Sequence, residues 1–318
     1  MGPLDREASD EPPYAPPVGA QAMVAKSRQQ GGPGRGSSRR PPRWLLPGVL
    51  LVTAAVGLVL FTKGRSPADP AAWASLRTQD VHSLAFVGAN PDHLLFGHHG
   101  GLLKTRDGGR TWSSLPVRED AMSMTPADDG SIVIAGHEVF TASRDGGATW
   151  TPIAADLPSL DIHGFTRDPA DPARMWAYLA TGGVWESRDF GRRWVRVHAD
   201  NVVLPIAIRD PAGTRLLGVD ASGLVTSADG GRTWSFLGAP PAYPVTGLAA
   251  SADGRTVYAG APDGLSRSDD GGRTWSLTTY RGSAFALATT GDGGTVALVS
   301  KATEFFRSPD RGSTWPGP

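Results

Sequence analysis

Five of the seven histidines, His82, His98, His99, His137 and His163, have carboxylates and a thioether close by in the sequence. His82 stands two residues after Asp80, and His163 two residues after Asp161. His98 and His99 are adjacent, His137 follows, and Met122 lies between His99 and His137. Imidazole with carboxylate is a ligand set for zinc, and imidazole with thioether suits copper. A divalent metal, Zn²⁺ or copper, is therefore an expected occupant if the fold gathers these side chains. The alternative is a polar mouth whose histidines are bridged by water. No compact ligand motif such as HExxH is present. Carboxylates also permit acid–base hydrolysis. Asp80, Asp120, Glu138 and Asp161 are possible members of a two-carboxylate pair, whose separation a sequence does not give. The chain has no cysteine, which excludes disulfides, thiolate metal sites and cysteine nucleophiles.

Whether these residues meet depends on the elements that carry them. The chain has 318 residues, 41 of them Gly and 27 Pro, and 40% are hydrophobic. That is turn-rich yet able to support a core. The 31 basic and 31 acidic residues balance, so no global field points to nucleic acid as a partner. From residue 66 short apolar runs alternate with Gly, Asp, Asn and Pro, and no helical period appears. One octapeptide recurs six times: TRDGGRTW at 105–112, SRDGGATW at 143–150, SRDFGRRW at 187–194, SADGGRTW at 227–234, SDDGGRTW at 268–275 and SPDRGSTW at 308–315. The Trp-to-Trp steps are 38, 44, 40, 41 and 40 residues, too regular for coincidence.

The residue types specify a tight hairpin corner. The third-position Asp (Asp107, Asp145, Asp189, Asp229, Asp270, Asp310) is expected to accept backbone N–H bonds from two or three residues on. The fifth-position Gly (Gly109, Gly147, Gly191, Gly231, Gly272, Gly312) supplies positive φ. Thr at the seventh position, replaced once by Arg193, returns a hydroxyl to the Asp. The closing Trp (Trp112, Trp150, Trp194, Trp234, Trp275, Trp315) opens a strand and buries its ring. Each octapeptide follows a short strand, and two earlier strands fit into each unit. Four strands per unit of about 40 residues is the signature of propeller blades.

The octapeptide resembles the Asp box, or BNR repeat. It is found in sialidases, sortilin-type receptors, xyloglucan-cleaving glucanases, photosystem II assembly factors and bacterial membrane-anchored proteins labelled glycosyl hydrolase. The resemblance spans residues 72–318. It implies an all-β, six-bladed propeller of four-stranded blades, with the box between third and fourth strands on the edge away from the ligand. The six Asp residues are then structural. Asp80 and His82 enter the first unit's inner strand and Asp161 and His163 the third's, with Met122 in the slot equivalent to His82. With His98, His99 and His137 in the loops of units one and two, the candidate ligand or metal residues share the opposite face. A sialidase-like site needs three Arg, a Tyr nucleophile with a Glu, and an acidic Asp. Nothing aligns Arg118, Arg281 and Lys301 as a clamp, so the catalytic residues of that alternative, a glycoside hydrolase, stay unassigned.

Ring closure needs a further strand, because the last unit stops at Trp315-Pro-Gly-Pro. Ala72-Trp73-Ala-Ser-Leu76 looks like Thr111-Trp112-Ser-Ser-Leu115. Residues 72–77 are therefore expected to complete the sixth blade, with Trp73 and Trp315 competing for one slot. Upstream, residues 1–43 are Pro, Gly, Ser, Gln and Arg with few large apolar side chains, and read as a disordered cytoplasmic tail. Residues 44–62 carry no charge and, as a helix, would span roughly 28 Å, enough for a hydrocarbon core. Arg39, Arg40 and Arg43 before it place the tail inside, residues 63–71 as a linker, and 72–318 outside the cell membrane. A retained single-pass anchor is expected, with a cleaved signal peptide as the alternative. The expected role is a binding or assembly module for an extracytoplasmic protein or glycan. Oligomeric state is not readable.

Overall fold

The computed structural model of the protein describes residues 70–318. The expected tail (1–43), span (44–62) and most of the linker (63–71) lie outside the described residues. No helix among the described residues is long and apolar enough to cross a membrane.

The apolar runs fold as strands, separated by Gly- and Asp-bearing turns. A short β1 (Ala74–Ser75) precedes blade 1, which comprises β2 (Ser83–Phe86), β3 (Leu94–His98), β4 (Gly101–Thr105) and β5 (Ser113–Ser114). Blade 2 comprises β6 (Ser123–Pro126), β7 (Ile132–Gly136), β8 (Val139–Ser143) and β9 (Thr151–Pro152). Blade 3 has β10 (Ile162–Arg167), β11 (Met175–Leu179), β12 (Val184–Ser187) and β13 (Trp194–His198). Blade 4 has β14 (Val203–Asp210), β15 (Gly213–Asp220), β16 (Gly223–Ser227) and β17 (Ser235–Gly238). Blade 5 has β18 (Gly247–Ala250), β19 (Val257–Ala261), β20 (Gly264–Ser268) and β21 (Ser276–Leu277). Blade 6 takes β22 (Ala286–Thr289), β23 (Val296–Val299) and β24 (Glu304–Ser308) from the chain's end and β1 from its beginning. All six sheets are four-stranded and antiparallel, blades 1–5 as simple meanders, and their first strands adjoin one another around a central channel. This is the six-bladed all-β propeller expected from the repeats.

Second strands such as Ile132–Gly136 and Val296–Val299 are buried along their whole length. Neighbouring blades cover both faces of each sheet, so these strands read as continuous apolar runs rather than alternating ones. Four of the six outer strands, β1, β5, β9 and β21, are two residues long, and β9 carries Pro152, features that discourage pairing with another chain. The expected closure by residues 72–77 is present: Ala74 pairs with Phe305 and Ser75 with Glu304. The two tryptophans do not compete. Trp315 sits between blades 5 and 6 against Tyr280, ring centroids 5.0 Å apart. Trp73 packs between blades 6 and 1 under the guanidinium groups of Arg110 and Arg307.

Each octapeptide closes the corner at the lower end of a third strand. In blade 2, Asp145 Oδ1 accepts the N–H groups of Ala148 at 3.0 Å and Thr149 at 2.8 Å, and Oδ2 accepts the Thr149 hydroxyl at 2.6 Å. The bonded N–H groups are thus three and four residues on, not two or three. The opening Ser143 has a role that its residue type alone does not reveal. Its hydroxyl donates to Asp145 at 2.8 Å and accepts from Gly147 N–H at 2.8 Å. The fifth-position Gly is required twice over. Gly109 has φ +104°, and a Cβ there would lie 2.1 Å from the Phe305 ring. The fourth position also has positive φ but opens to solvent at Gly146, which is why Phe190 and Arg311 are tolerated there. The indoles of Trp112, Trp150, Trp194, Trp234 and Trp275 donate to the carbonyl of their own fifth-position Gly at 2.8–3.2 Å.

Candidate functional site at the upper edge of blades 1 to 3

First and third strands run from the upper edge to the lower, so the octapeptides and the turns between first and second strands share the lower edge. Gly108 N–H accordingly donates to the Asp92 carbonyl in that turn at 3.0 Å. The segments entering first strands and the turns between second and third strands meet at the upper edge.

Two of those upper corners are built alike. Asp80 precedes the first strand of blade 1 and accepts the His99 backbone N–H at 2.9 Å and its Nδ1 at 2.5 Å. Asp120 does the same in blade 2, at 3.4 Å to the His137 N–H and 2.7 Å to its Nδ1. Each imidazole then turns its other nitrogen towards the next blade. His99 Nε2 is 3.8 Å from Asp120 Oδ2, and His137 Nε2 is 3.5 Å from Asp161 Oδ1. The result is a chain running Asp80, His99, Asp120, His137, Asp161 across three blades. His82 and His163 flank it from the first strands. His82 Nε2 lies 3.4 Å from Asp80 Oδ1, 3.5 Å from Asp120 Oδ1 and 3.3 Å from His99 Nδ1. His163 Nε2 lies 2.9 Å from Asp161 Oδ1 and 3.3 Å from His137 Nε2.

The electrostatics follow burial and pairing. Burial pushes the Asp80 carboxyl up, but bonds from His99 and the charge of His82 outweigh it and hold it below the usual range. Burial depresses His82 against the pull of Asp120 and Asp80. The bond to Asp80 raises exposed His99. Burial lowers His98.

Six of the eight residues expected from the sequence come together here: Asp80, His82, His99, His137, Asp161 and His163. His98 does not join them. Its ring stacks on Phe96, centroids 6.0 Å apart, and its Nδ1 accepts the Gly100 N–H at 3.0 Å. Met122 lines the channel wall with His82 and His163. Asp120, placed by the sequence only among hydrolytic carboxylates, is the centre of the chain of contacts. A signal for it exists: Asp80, Asp120 and Asp161 stand at blade-equivalent positions, each two residues before His82, Met122 and His163.

Below the cluster runs a channel of about 720 Å³, walled by apolar first-strand residues such as Leu84, Phe165, Leu248 and Leu287. Asp128, Asp129, Arg167 and Arg209 lie at its lower end. Two of the tyrosines and one of the arginines weighed for a sialidase-like site are engaged elsewhere. Tyr258 and Tyr280 are buried, their hydroxyls donate to the carbonyls of Gly293 and Ser283, and burial raises both phenols. Arg281 donates to the carbonyls of Thr278 and Tyr280.

No family model matches the sequence, and no curated protein does. Solved structures share the fold. A GH74 enzyme of Niastella koreensis superposes with a TM-score of 0.51 at 17% identity, over 76% of this chain and 47% of that one. This chain therefore spans less than half of that enzyme's length. YCF48 bound to D1 peptide gives 0.52 at 15% identity, over 74% of this chain and 95% of that one. A chain of the nidogen/laminin complex gives 0.58 at 15% identity, over 71% and 93%. These likenesses establish a propeller, on which catalytic and binding proteins are both built.

Proposed function

We propose that this chain is an Asp-box propeller serving as a binding or assembly module, anchored in the cell membrane and displayed outside it. Residues 1–43 form its cytoplasmic tail, 44–62 its single span, 63–71 a linker and 72–318 the propeller. The observation that carries the binding reading is the placement of side chains. Polar groups in the octapeptides are consumed in making their own turns. At the upper edge the imidazoles of His99 and His137 stand in solvent at 53% and 44% exposure, each held by the carboxylate behind it, Asp80 and Asp120. Solvent-facing polar groups held by a rigid scaffold suit recognition of a protein or glycan. Neighbours in the fold that are complexed with a peptide or a protein support a protein ligand. Hydrolysis is the weaker reading, because the carboxylates here are paired with imidazoles and two of the tyrosines are committed to backbone carbonyls.

The test uses the purified full chain, in mild detergent, on a glycan array and a peptide panel, alongside a glycoside hydrolysis panel. The expected result is retention of one ligand class, lost in a His137→Ala variant with an unchanged melting temperature, and no turnover. Turnover abolished by Asp120→Asn would replace this reading with the hydrolase.

A further inference from the structure

We infer that the upper edge of blades 1–3 is a two-ion centre for divalent transition metals of the zinc class. Asp80, His82 and His99 hold one ion and His137, Asp161 and His163 the other. The inference rests on the reading of this edge as the binding face and names a ligand for it.

Three observations carry it. First, each triad places two imidazole nitrogens and one carboxylate oxygen within 4.8 Å of one another, a set of three protein ligands that leaves positions open for water or a partner's donor. Second, two of the spacings in each triad are close to those of ligands around an ion, while the shorter pairs, His99 Nδ1 to Asp80 Oδ2 at 2.5 Å and His163 Nε2 to Asp161 Oδ1 at 2.9 Å, are hydrogen bonds that an ion would replace. A tetrahedral zinc with bonds of about 2.0–2.1 Å sets its ligand atoms about 3.3–3.4 Å apart. His82 Nε2 is 3.3 Å from His99 Nδ1 and 3.4 Å from Asp80 Oδ1. His137 Nε2 is 3.3 Å from His163 Nε2 and 3.5 Å from Asp161 Oδ1. Imidazole nitrogens that converge in pairs at this distance satisfy one another poorly as hydrogen-bond partners. A cation between them uses both lone pairs, with the proton that His99 Nδ1 shares with Asp80 released to solvent as the ion binds. Third, Asp120 is buried between the triads, 9% exposed, and its Oδ1 has no hydrogen-bond partner. That oxygen faces His82 Nε2 at 3.5 Å, while Oδ2 holds His137 Nδ1 at 2.7 Å. One carboxylate thus offers an unused donor beside the first ion and fixes the tautomer of a ligand to the second, the outer support that metal-bound histidine commonly has. An orphaned carboxylate oxygen is costly to bury, and an adjoining cation removes the cost.

The test is uptake of Zn²⁺ by the full chain after chelator treatment. It is read by calorimetry and elemental analysis, with Co²⁺ absorption reporting nitrogen–oxygen coordination. Two ions per chain are expected. His82→Ala and His163→Ala should each leave one, and Asp120→Asn should weaken uptake about tenfold or more. Melting temperatures measured without metal show that each variant folds. Fewer than two ions in the wild type, or two ions retained in both alanine variants, overturns the inference. If the glycan or peptide panel still registers a ligand lost in His137→Ala, the binding reading survives that failure. If neither metal nor ligand depends on this edge, both fall.

Discussion

Trp73 donates its backbone N–H to the Phe305 carbonyl at 2.8 Å, joining the first described strand to the last. Its indole also donates to the Pro316 carbonyl at 2.7 Å, and Arg307 stacks on the ring while bonding Asp92 of blade 1 at 2.9 Å. The ring is closed through this one residue's neighbourhood. Deleting residues 70–78 removes the outer strand of blade 6 and should lower the melting temperature by about 10 °C, from a loss of several kcal/mol. Differential scanning calorimetry checks it, and an unchanged melt would show that closure does not need the strand.

The third octapeptide lacks the threonine that completes the others. Asp189 Oδ1 accepts the N–H groups of Arg192 and Arg193, at 3.1 and 2.8 Å. In blade 2, Thr149 adds a hydroxyl bond to Asp145 Oδ2. Arg193→Thr should supply the missing bond and stabilise the domain by about 0.5–1 kcal/mol. The melting temperature should rise by about 1–4 °C.

Acid should act first on these corners. Hydrogen bonds from the side chain and backbone of Thr149 lower the Asp145 pKa from 3.8 to about 2. A carboxyl depressed in the folded state stabilises it above the unfolded pKa, and that contribution is lost as pH falls from 3.8 through about 2. Asp107, Asp229 and Asp270 are depressed in the same way by their own threonines. Melting temperature should therefore fall steeply below pH 4. Asp145→Asn should flatten part of that slope in pH-dependent melts while lowering stability at pH 7.

Trp315 and Trp275 offer a matched comparison. The Trp275 indole donates to Gly272 at 2.9 Å, whereas buried Trp315 Nε1 has no partner. Replacing each by Phe keeps most of the ring packing. Trp275→Phe should cost about 1 kcal/mol more than Trp315→Phe, read as the difference between two denaturant midpoints.

Glu186 is the buried charge to test at the lower edge. It accepts from Arg174 at 2.8 Å, Arg188 at 2.9 Å and Arg232 at 3.2 Å, and so links blade 3 to blade 4. Glu186→Ala should destabilise by about 1–2 kcal/mol, because Arg174 loses its nearer carboxylate and keeps only Asp168 at 3.5 Å, while Arg188 and Arg232 are exposed. Chemical denaturation measures it.

The propeller was legible because its repeating corner uses residues with few substitutes. Gly109 stands where a side chain would strike Phe305, and Asp, Thr and Trp each satisfy a stated bond. The opening Ser or Thr was not legible in its role, since its bond to Gly N–H forms only once the corner is folded. At the upper edge, His82 and His163 announced themselves by type. Asp120 did not, because Met122 occupies the place where the other two blades put histidine and so breaks the visible pairing. His98 stands apart because it ends β3 and stacks on Phe96 two residues earlier, on the same side of the strand, whereas His99 in the turn that follows faces Asp80.

The central claim is that this propeller meets its partner with the upper edge of blades 1–3 and not with the rim of octapeptides. Site-specific photo-crosslinking in intact cells tests it most directly, with the probe placed at exposed Glu138 beside the cluster or at exposed Ala148 in the second octapeptide. The account predicts a discrete adduct from position 138, diminished by His137→Ala, and none from position 148. An adduct from position 148 alone would contradict it.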